Sequence, residues 1–177
     1  TNRFLPSAPI FILVIAIALA NYEPNTLLTG WDNLHPEFNL SLNIKRSFFS
    51  VWQEYQSLGL LGGMGHAADI VRQFFLLLLS LLIPQFDLRY FWTILTLLIG
   101  GIGAVELSKA LVKNSFLQDD KLNVLFVPAF TGILYMLNLA TLQSYYVPFE
   151  TFTSHFAFLP WMILATLHFF NRQSIKN

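Results

Sequence analysis

The chain has 177 residues, of which 55% are hydrophobic and only 11% are charged. Soluble domains carry about 25% charged residues, so this composition argues against a water-soluble fold and predicts an all-α, polytopic transmembrane helix bundle. Ten basic and ten acidic residues give no net charge, which excludes the basic surface that nucleic-acid binding requires. The chain contains no cysteine, so no disulfide framework holds it together.

Five apolar runs divide the chain, and a helix needs about 20 residues to cross a bilayer. Four runs predict full membrane spans, over residues 4–20, 90–108, 123–140 and 155–170. The run over residues 73–84 is shorter and ends at Pro84, so we expect a re-entrant or short span there. A removable secretory signal is the alternative for the first run, because its end fits a small-residue cleavage site.

The basic residues indicate the orientation of these spans. With one re-entrant segment, six basic residues lie on the cytoplasmic side and four lie outside, as the positive-inside rule favours. This arrangement puts the region Asn21–Arg89, including an outer loop over residues 21–72, on the non-cytoplasmic face. The loop Thr141–Ser154 is then expected on the same face.

Within the outer loop, residues Ser47–Leu58 predict an amphipathic helix. Phe48, Val51, Trp52, Tyr55 and Leu58 recur at helical spacing, while the polar residues between them fall on the opposite side. A helix with aromatic residues along one face typically lies in the membrane interface. We therefore expect this segment to lie along the membrane surface rather than across it.

Two further features concern the packing of the spans and the extent of the protein. Gly100, Gly101 and Gly103 are expected to let neighbouring helices approach closely. The chain starts at Thr1 without Met and stops soon after an apolar run. We therefore expect residues 1–177 to be a single transmembrane domain from the N-terminal part of a larger protein.

Asp32, His35 and Glu37 stand within six residues of one another, next to Trp31 and just past the first span. A carboxylate at a membrane surface can act as a general base on a sugar hydroxyl. Carboxylates also suit a divalent cation such as Mg or Mn, although the pattern does not establish a metal. The alternative is a solvated loop in which Asp32 caps a turn and Glu37 faces water.

Gly62, Gly63 and His66 belong to a glycine-rich stretch that precedes Arg72. Their backbone amides and the Arg72 guanidinium are candidates to bind the phosphate of a lipid carrier. A simple turn before the next apolar run is the alternative.

Glu150 lies in a short aromatic loop, where a carboxylate near hydrocarbon suggests either a functional role or an exposed interfacial acid.

Three stretches resemble the C-type (GT-C) glycosyltransferases, most closely their arabinofuranosyltransferase-like bacterial membrane proteins. The matching stretches are Gly30-Trp31-Asp32, Trp52–Gly59 with Met64-Gly65, and Thr131–Tyr135 followed by Glu150 and Phe158–Trp161. The chain departs from the family pattern by placing Trp31 before Asp32, so Asp32 and Glu37 both stay open as the key acid. It also lacks the basic residue that usually follows the helix containing Tyr135.

The resemblance implies sugar transfer at the outer face of a bacterial plasma membrane, from a polyprenyl-phosphate donor to a glycan acceptor. Asp32 would activate the acceptor, and Glu150 would be a second acid of the active face. Trp31, Trp52 and Tyr55 are candidate stacking surfaces for sugar or prenyl chain. The expected partners are membrane lipid and either further spans of the same protein or partner subunits. A lipid or solute transporter and a non-catalytic membrane assembly subunit are the alternatives.

Overall fold

The computed structural model describes residues 4–30, 36–49, 52–53, 58–61, 69–113, 120–148 and 150–173. These residues form mainly α-helices, which confirms the all-α prediction. The helices are α1 (Ala8–Asn21), α2 (Leu40–Phe48), α3 (Ile70–Leu79), α4 (Leu88–Lys113), α5 (Lys121–Leu137), α6 (Leu139–Tyr146) and α7 (Glu150–Gln173). Short 3₁₀ turns lie at Leu5–Ser7, Pro36–Asn39 and Gln85–Asp87. Strands β1 (Trp52–Gln53) and β2 (Leu60–Leu61) form one antiparallel pair.

The chain packs into two compact units, which are described separately below. Among the described residues, the first unit contains α1, α5, α6, α7 and the part of α4 from Thr93 onward. The second unit contains α2, the two strands, α3 and the start of α4 up to Trp92.

Close helix packing organises the first unit. Its buried core consists of Ile10, Val14, Leu97, Val105, Met136 and Phe156. A Cβ atom added to Gly101 would lie 2.7 Å from the Met136 sulfur, and one added to Gly103 would lie 2.6 Å from Trp161 Nε1. These distances are shorter than van der Waals contact, so the prediction that the glycines permit close helix approach is confirmed.

Side-chain hydrogen bonds also connect the helices of the first unit. Trp161 Nε1 donates to the Ile99 carbonyl at 3.0 Å, and the Tyr135 hydroxyl donates to the Phe156 carbonyl at 2.9 Å. The Tyr135 and Phe156 rings stack with centroids 4.5 Å apart. Such bonds between apolar helices each contribute on the order of 1 kcal/mol.

A break at Asn138 separates α5 from α6, and the two helices meet at a bend of 47°. The Asn138 Oδ1 atom accepts a hydrogen bond from the Thr141 amide at 3.0 Å, which caps the start of α6. Its Nδ2 atom donates to the Tyr135 carbonyl at 2.7 Å, at the end of α5. The predicted span over residues 123–140 is therefore two helices, with Asn138 satisfying backbone groups on both sides of the break.

In the second unit, α2 packs against α3. Asn39 caps α2, because its Oδ1 atom accepts a hydrogen bond from the Leu42 amide at 3.1 Å. The Phe48 and Phe74 rings meet edge to face with centroids 6.0 Å apart. Helix α2 is amphipathic, with Leu40 and Ser47 on its buried side.

The predicted helix over Ser47–Leu58 is wrong. Helix α2 ends at Phe48, and Trp52 pairs with Leu61 in the β1–β2 hairpin. Gly59 has a φ of +97°, a backbone angle that residues with a Cβ atom rarely adopt. A Cβ atom added there would lie 2.9 Å from Trp52 Cε2. The Trp52 ring therefore lies against Gly59, and the helical spacing of Trp52 from Phe48 does not reflect a helix.

In the part of the chain that the structure describes, one helical segment, Gln85–Lys113, is long and apolar enough to cross a membrane. The bent pair α5–α6 makes a second candidate if it is counted as one span. Among the described residues, Leu5–Asn21 and Ile70–Leu79 are apolar but shorter. Helix α7 has 24 residues but is less apolar. A multi-pass bundle stays a prediction.

Candidate functional site

A buried ion pair between Glu37 and Arg89 is the principal polar feature of the second unit. Arg89 Nε lies 3.4 Å from Glu37 Oε1, and Arg89 Nη2 lies 3.4 Å from Glu37 Oε2. The two side chains are only 3% and 4% exposed. The contact joins positions 52 residues apart, so it fixes the turn Pro36–Asn39 to the start of α4.

Two 3₁₀ turns bring these side chains together. Pro36 begins the turn that carries Glu37, and the second turn, Gln85–Asp87, leads directly into α4. Gln85 Nε2 donates to the Glu37 carbonyl at 2.8 Å. The Phe38 and Phe86 rings meet edge to face with centroids 6.1 Å apart. Backbone, ion-pair and aromatic contacts thus hold the same two turns together.

The burial of Glu37 changes its candidate role. The alternative in which Glu37 faces water is wrong, because the side chain is 4% exposed. A general base must reach the proton that it removes, and a carboxylate covered by protein has no such access. Glu37 is therefore suited to holding its 3₁₀ turn, Pro36–Asn39, against the start of α4.

A second charged cluster lies at the start of α3. Arg72 pairs with Asp69 through two bonds, Nε to Oδ1 at 2.6 Å and Nη2 to Oδ2 at 2.7 Å. Gln73 Nε2 also donates to Asp69 Oδ2, at 2.6 Å. Asp69 thereby fixes the plane of the guanidinium group of Arg72, a side chain that is 11% exposed.

Two further polar atoms of the second unit are buried. Gln73 is 2% exposed and Trp92 is 5% exposed. Within the described part of the chain, Gln73 Oε1 and Trp92 Nε1 have no hydrogen-bond partner. Leaving such an atom unsatisfied costs about 1–3 kcal/mol. One is an acceptor and the other a donor, so each marks a place where water or a hydroxyl-bearing ligand would be stabilised.

Several predicted site residues lie outside the described residues: Trp31, Asp32, His35, Tyr55, Gly62, Gly63 and His66. Trp52 is 57% exposed on β1, as a stacking surface requires. Glu150 is the first residue of α7, and its side chain is not described. Among the described candidates, Glu37, Trp52 and Arg72 belong to the second unit.

Arg89, Gln85 and Asp69 are the contributors that the sequence analysis did not identify. Arg89 immediately precedes the apolar run over residues 90–108. A charge at the edge of an apolar run requires a partner, so the position of Arg89 in the sequence already indicated an ion pair. The identity of the partner did not follow from the sequence, since it lies 52 residues away.

Among the described residues, no group of three His, Asp or Glu side chains is arranged to hold a metal ion. The possible divalent cation was attributed to the carboxylates of the first loop without a defined set of ligands, and one of these carboxylates, Asp32, lies outside those residues. Comparison of the chain with protein-family models, with characterised proteins and with solved structures finds no match.

Proposed function

We propose that this chain is part of a multi-pass membrane glycosyltransferase of the C type, located in a bacterial plasma membrane. The donor is a polyprenyl-phosphate sugar, and the acceptor is a hydroxyl group of a growing glycan. Asp32 removes the proton of the attacking hydroxyl group. Arg72 and the glycine-rich stretch bind the phosphate that departs.

Exposed apolar residues support the membrane location. On α5, Phe126, Phe130, Leu134 and Leu137 follow one another at helical spacing and are 43–61% exposed. On α7, Phe158, Met162, Ile163, Phe169 and Phe170 are also exposed. Monomeric soluble proteins rarely expose contiguous apolar patches of this kind. Lipid chains would cover these surfaces without cost.

The observation that carries the proposal is the buried contact of Glu37 with Arg89. Arg89 is the second residue of α4, which belongs to the segment long enough to span a membrane. Asp32 precedes Glu37 by five residues, and five extended residues reach at most about 18 Å. The contact holds Glu37, five residues after Asp32 in the sequence, at the start of a membrane-length helix, and this supports a site for the head group of a lipid-linked donor at that end of the helix.

The geometry also supports separate roles for the charged residues. Glu37 positions the turn Pro36–Asn39, since its carboxylate is buried against Arg89. Arg72 is oriented by Asp69, and its planar, charged guanidinium group has the shape that matches phosphate. Glu150, at the start of α7, is proposed as the second acid of the active face.

A lipid or solute transporter is the second candidate, and the break between α5 and α6 favours it. Transporters often bind their substrates where a membrane helix is discontinuous. Here, however, Asn138 and Thr141 hydrogen-bond the backbone groups that such a break exposes. The break is therefore satisfied without a substrate, and glycosyl transfer is the better-supported candidate.

The test uses the full-length protein in vesicles with a labelled polyprenyl-phosphate sugar and a glycan acceptor. The proposal predicts labelled glycan and released polyprenyl phosphate in equal amounts. Passage of the labelled lipid across the bilayer without glycan product would establish the transporter instead. Absence of both would favour a non-catalytic assembly subunit. Vesicles that contain the Asp32→Asn variant provide the matched control.

A further inference from the structure

Helix α7 contains a proline in its interior. Pro160 lies within the 24 residues of this helix, away from both of its ends. A proline has no backbone N–H, so the Phe156 carbonyl, four residues earlier, loses the hydrogen bond that an α-helix would give it. Phe156 is only 9% exposed, and Pro160 is buried. The carbonyl therefore requires a donor from elsewhere in the protein.

The Tyr135 hydroxyl supplies this donor. It donates to the Phe156 carbonyl at 2.9 Å, from the last turn of α5. The two rings also stack, with centroids 4.5 Å apart and 16° between their planes. Neighbouring helices commonly satisfy the carbonyl that a proline leaves free in a membrane helix. A single side chain of α5 thus covers the Phe156 ring and replaces the hydrogen bond that Pro160 removes.

Tyr135 itself is held at a defined position at the end of α5. Its backbone carbonyl accepts hydrogen bonds from Asn138 Nδ2 at 2.7 Å and from the Thr141 hydroxyl at 2.8 Å. These are the bonds that satisfy the break between α5 and α6. The residue that serves the proline of α7 is therefore also the residue on which this break is fixed.

The two sides of Pro160 are attached differently to the rest of the first unit. Directly after the proline, Trp161 Nε1 donates to the Ile99 carbonyl of α4 at 3.0 Å. Before the proline, the Phe156 ring packs on Gly100 of α4 and against α5. Packing of this kind permits small rotations, whereas a hydrogen bond fixes the direction of the carbonyl. The bond from α5 is thus the directional contact on the side before the proline.

We propose that α7 is hinged at Pro160 and that the Tyr135 hydroxyl is the latch that holds this hinge closed. While the bond is made, the segment of α7 before Pro160 is fixed to α5. When the bond is lost, the Phe156 carbonyl has no donor at position 160 to return to, and this segment can turn relative to Trp161. Proline is a common cause of such a local change of helix direction. The proposal does not depend on sugar transfer.

A double-mutant cycle on the full chain, followed by thermal unfolding in detergent, tests the link between the hydroxyl and the proline. Tyr135→Phe keeps the ring and removes the hydroxyl, so the melting temperature is expected to fall by about 2–12 °C. Pro160→Ala restores an N–H that can donate to the Phe156 carbonyl. In that background, Tyr135→Phe should cost about half of this loss or less. Equal losses in both backgrounds would overturn the proposal.

Tyr145→Phe is the matched control for this cycle. The Tyr145 ring also meets Phe156, with centroids 5.3 Å apart, but its hydroxyl donates to Thr96 Oγ1 at 3.2 Å. Loss of this hydroxyl should therefore lower the melting temperature equally with Pro160 and with alanine at that position. If the loss shrank for both tyrosines in the Pro160→Ala background, the effect would be a general change of α7, and the latch would be refuted.

Thiol reactivity tests the hinge directly, since the chain has no cysteine of its own. Ala157, before the proline, is 0% exposed, and Ala104 on α4 is 4% exposed. Tyr135→Phe should raise the rate at which N-ethylmaleimide modifies an Ala157→Cys thiol by about 5–150-fold. The same substitution should leave the rate at an Ala104→Cys thiol unchanged. An equal rise at both positions, or no rise at Ala157→Cys, would overturn the proposal.

Discussion

Removing one partner of the Glu37–Arg89 pair is expected to destabilise the protein far more than removing both. In Arg89→Met, the Glu37 carboxylate stays in a site where it is 4% exposed, without its guanidinium partner. In Glu37→Met, the Arg89 guanidinium is left in the same position. Breaking a buried pair in this way costs about 3–5 kcal/mol of folding free energy.

The geometry gives the same order of magnitude. At the 3.4 Å separation of Arg89 Nε and Glu37 Oε1, and at an effective dielectric constant of about 20, the attraction is about 5 kcal/mol. Desolvation of both groups offsets much of this gain when the pair forms. The double variant Glu37→Met/Arg89→Met removes both charges and keeps the volume, so it should cost less than either single variant.

The assay is thermal unfolding of the detergent-solubilised chain, monitored by tryptophan fluorescence. It compares the unmodified chain, the two single variants and the double variant. Each single variant is expected to lower the melting temperature by about 6–20 °C, since 1 kcal/mol corresponds to about 2–4 °C for a chain of this size. Lys113→Met is the control, because it removes an exposed cation and should cost about 0.3–1 kcal/mol. Additive losses in the double variant, or single losses no larger than the control, would refute the reasoning.

Other parts of the structure make separate predictions. Gly103→Ala is expected to cost about 1–3 kcal/mol in thermal unfolding, because the new methyl group meets the Trp161 indole; an unchanged midpoint would contradict that contact. Asn138→Ala should cost about 1 kcal/mol through loss of the α6 cap, and Asn138→Asp should retain most of the stability, whereas equal losses would argue against capping. Single cysteines at Asn33 and Ser144 are expected to react with an impermeant maleimide from the same, non-cytoplasmic side of the membrane, and reaction from opposite sides would overturn the topology.

The helices of the first unit were largely predictable because their signal is local. Apolar runs predicted residues 90–108 and 155–170, and the structure places α4 at Leu88–Lys113 and α7 at Glu150–Gln173. The glycine contacts followed from residue size alone. The break between α5 and α6 at Asn138 could not be predicted, since an Asn within an apolar run also fits an unbroken span.

The second unit was harder to predict because its contacts join distant residues. The aromatic spacing from Phe48 to Leu58 fitted a helix, but Trp52 packs over Gly59 in a hairpin. The helix lies earlier, at Leu40–Phe48, where Asn39 provides the cap. Asp32, His35 and Glu37 could be singled out from their residue types. Arg89, the partner that buries Glu37, could not be predicted, because no local pattern specifies a contact across 52 residues.

The most direct test of the central claim is the transfer rate of the Asp32→Asn variant of the full-length protein. Asparagine keeps the size and most hydrogen bonds of the side chain but cannot accept the proton of the acceptor hydroxyl group. At equal amounts of folded protein, transfer from the polyprenyl-phosphate sugar is expected to fall by about 10²–10⁴-fold, with binding of the donor retained. Transfer at a near-normal rate would contradict the assignment of Asp32 as the general base.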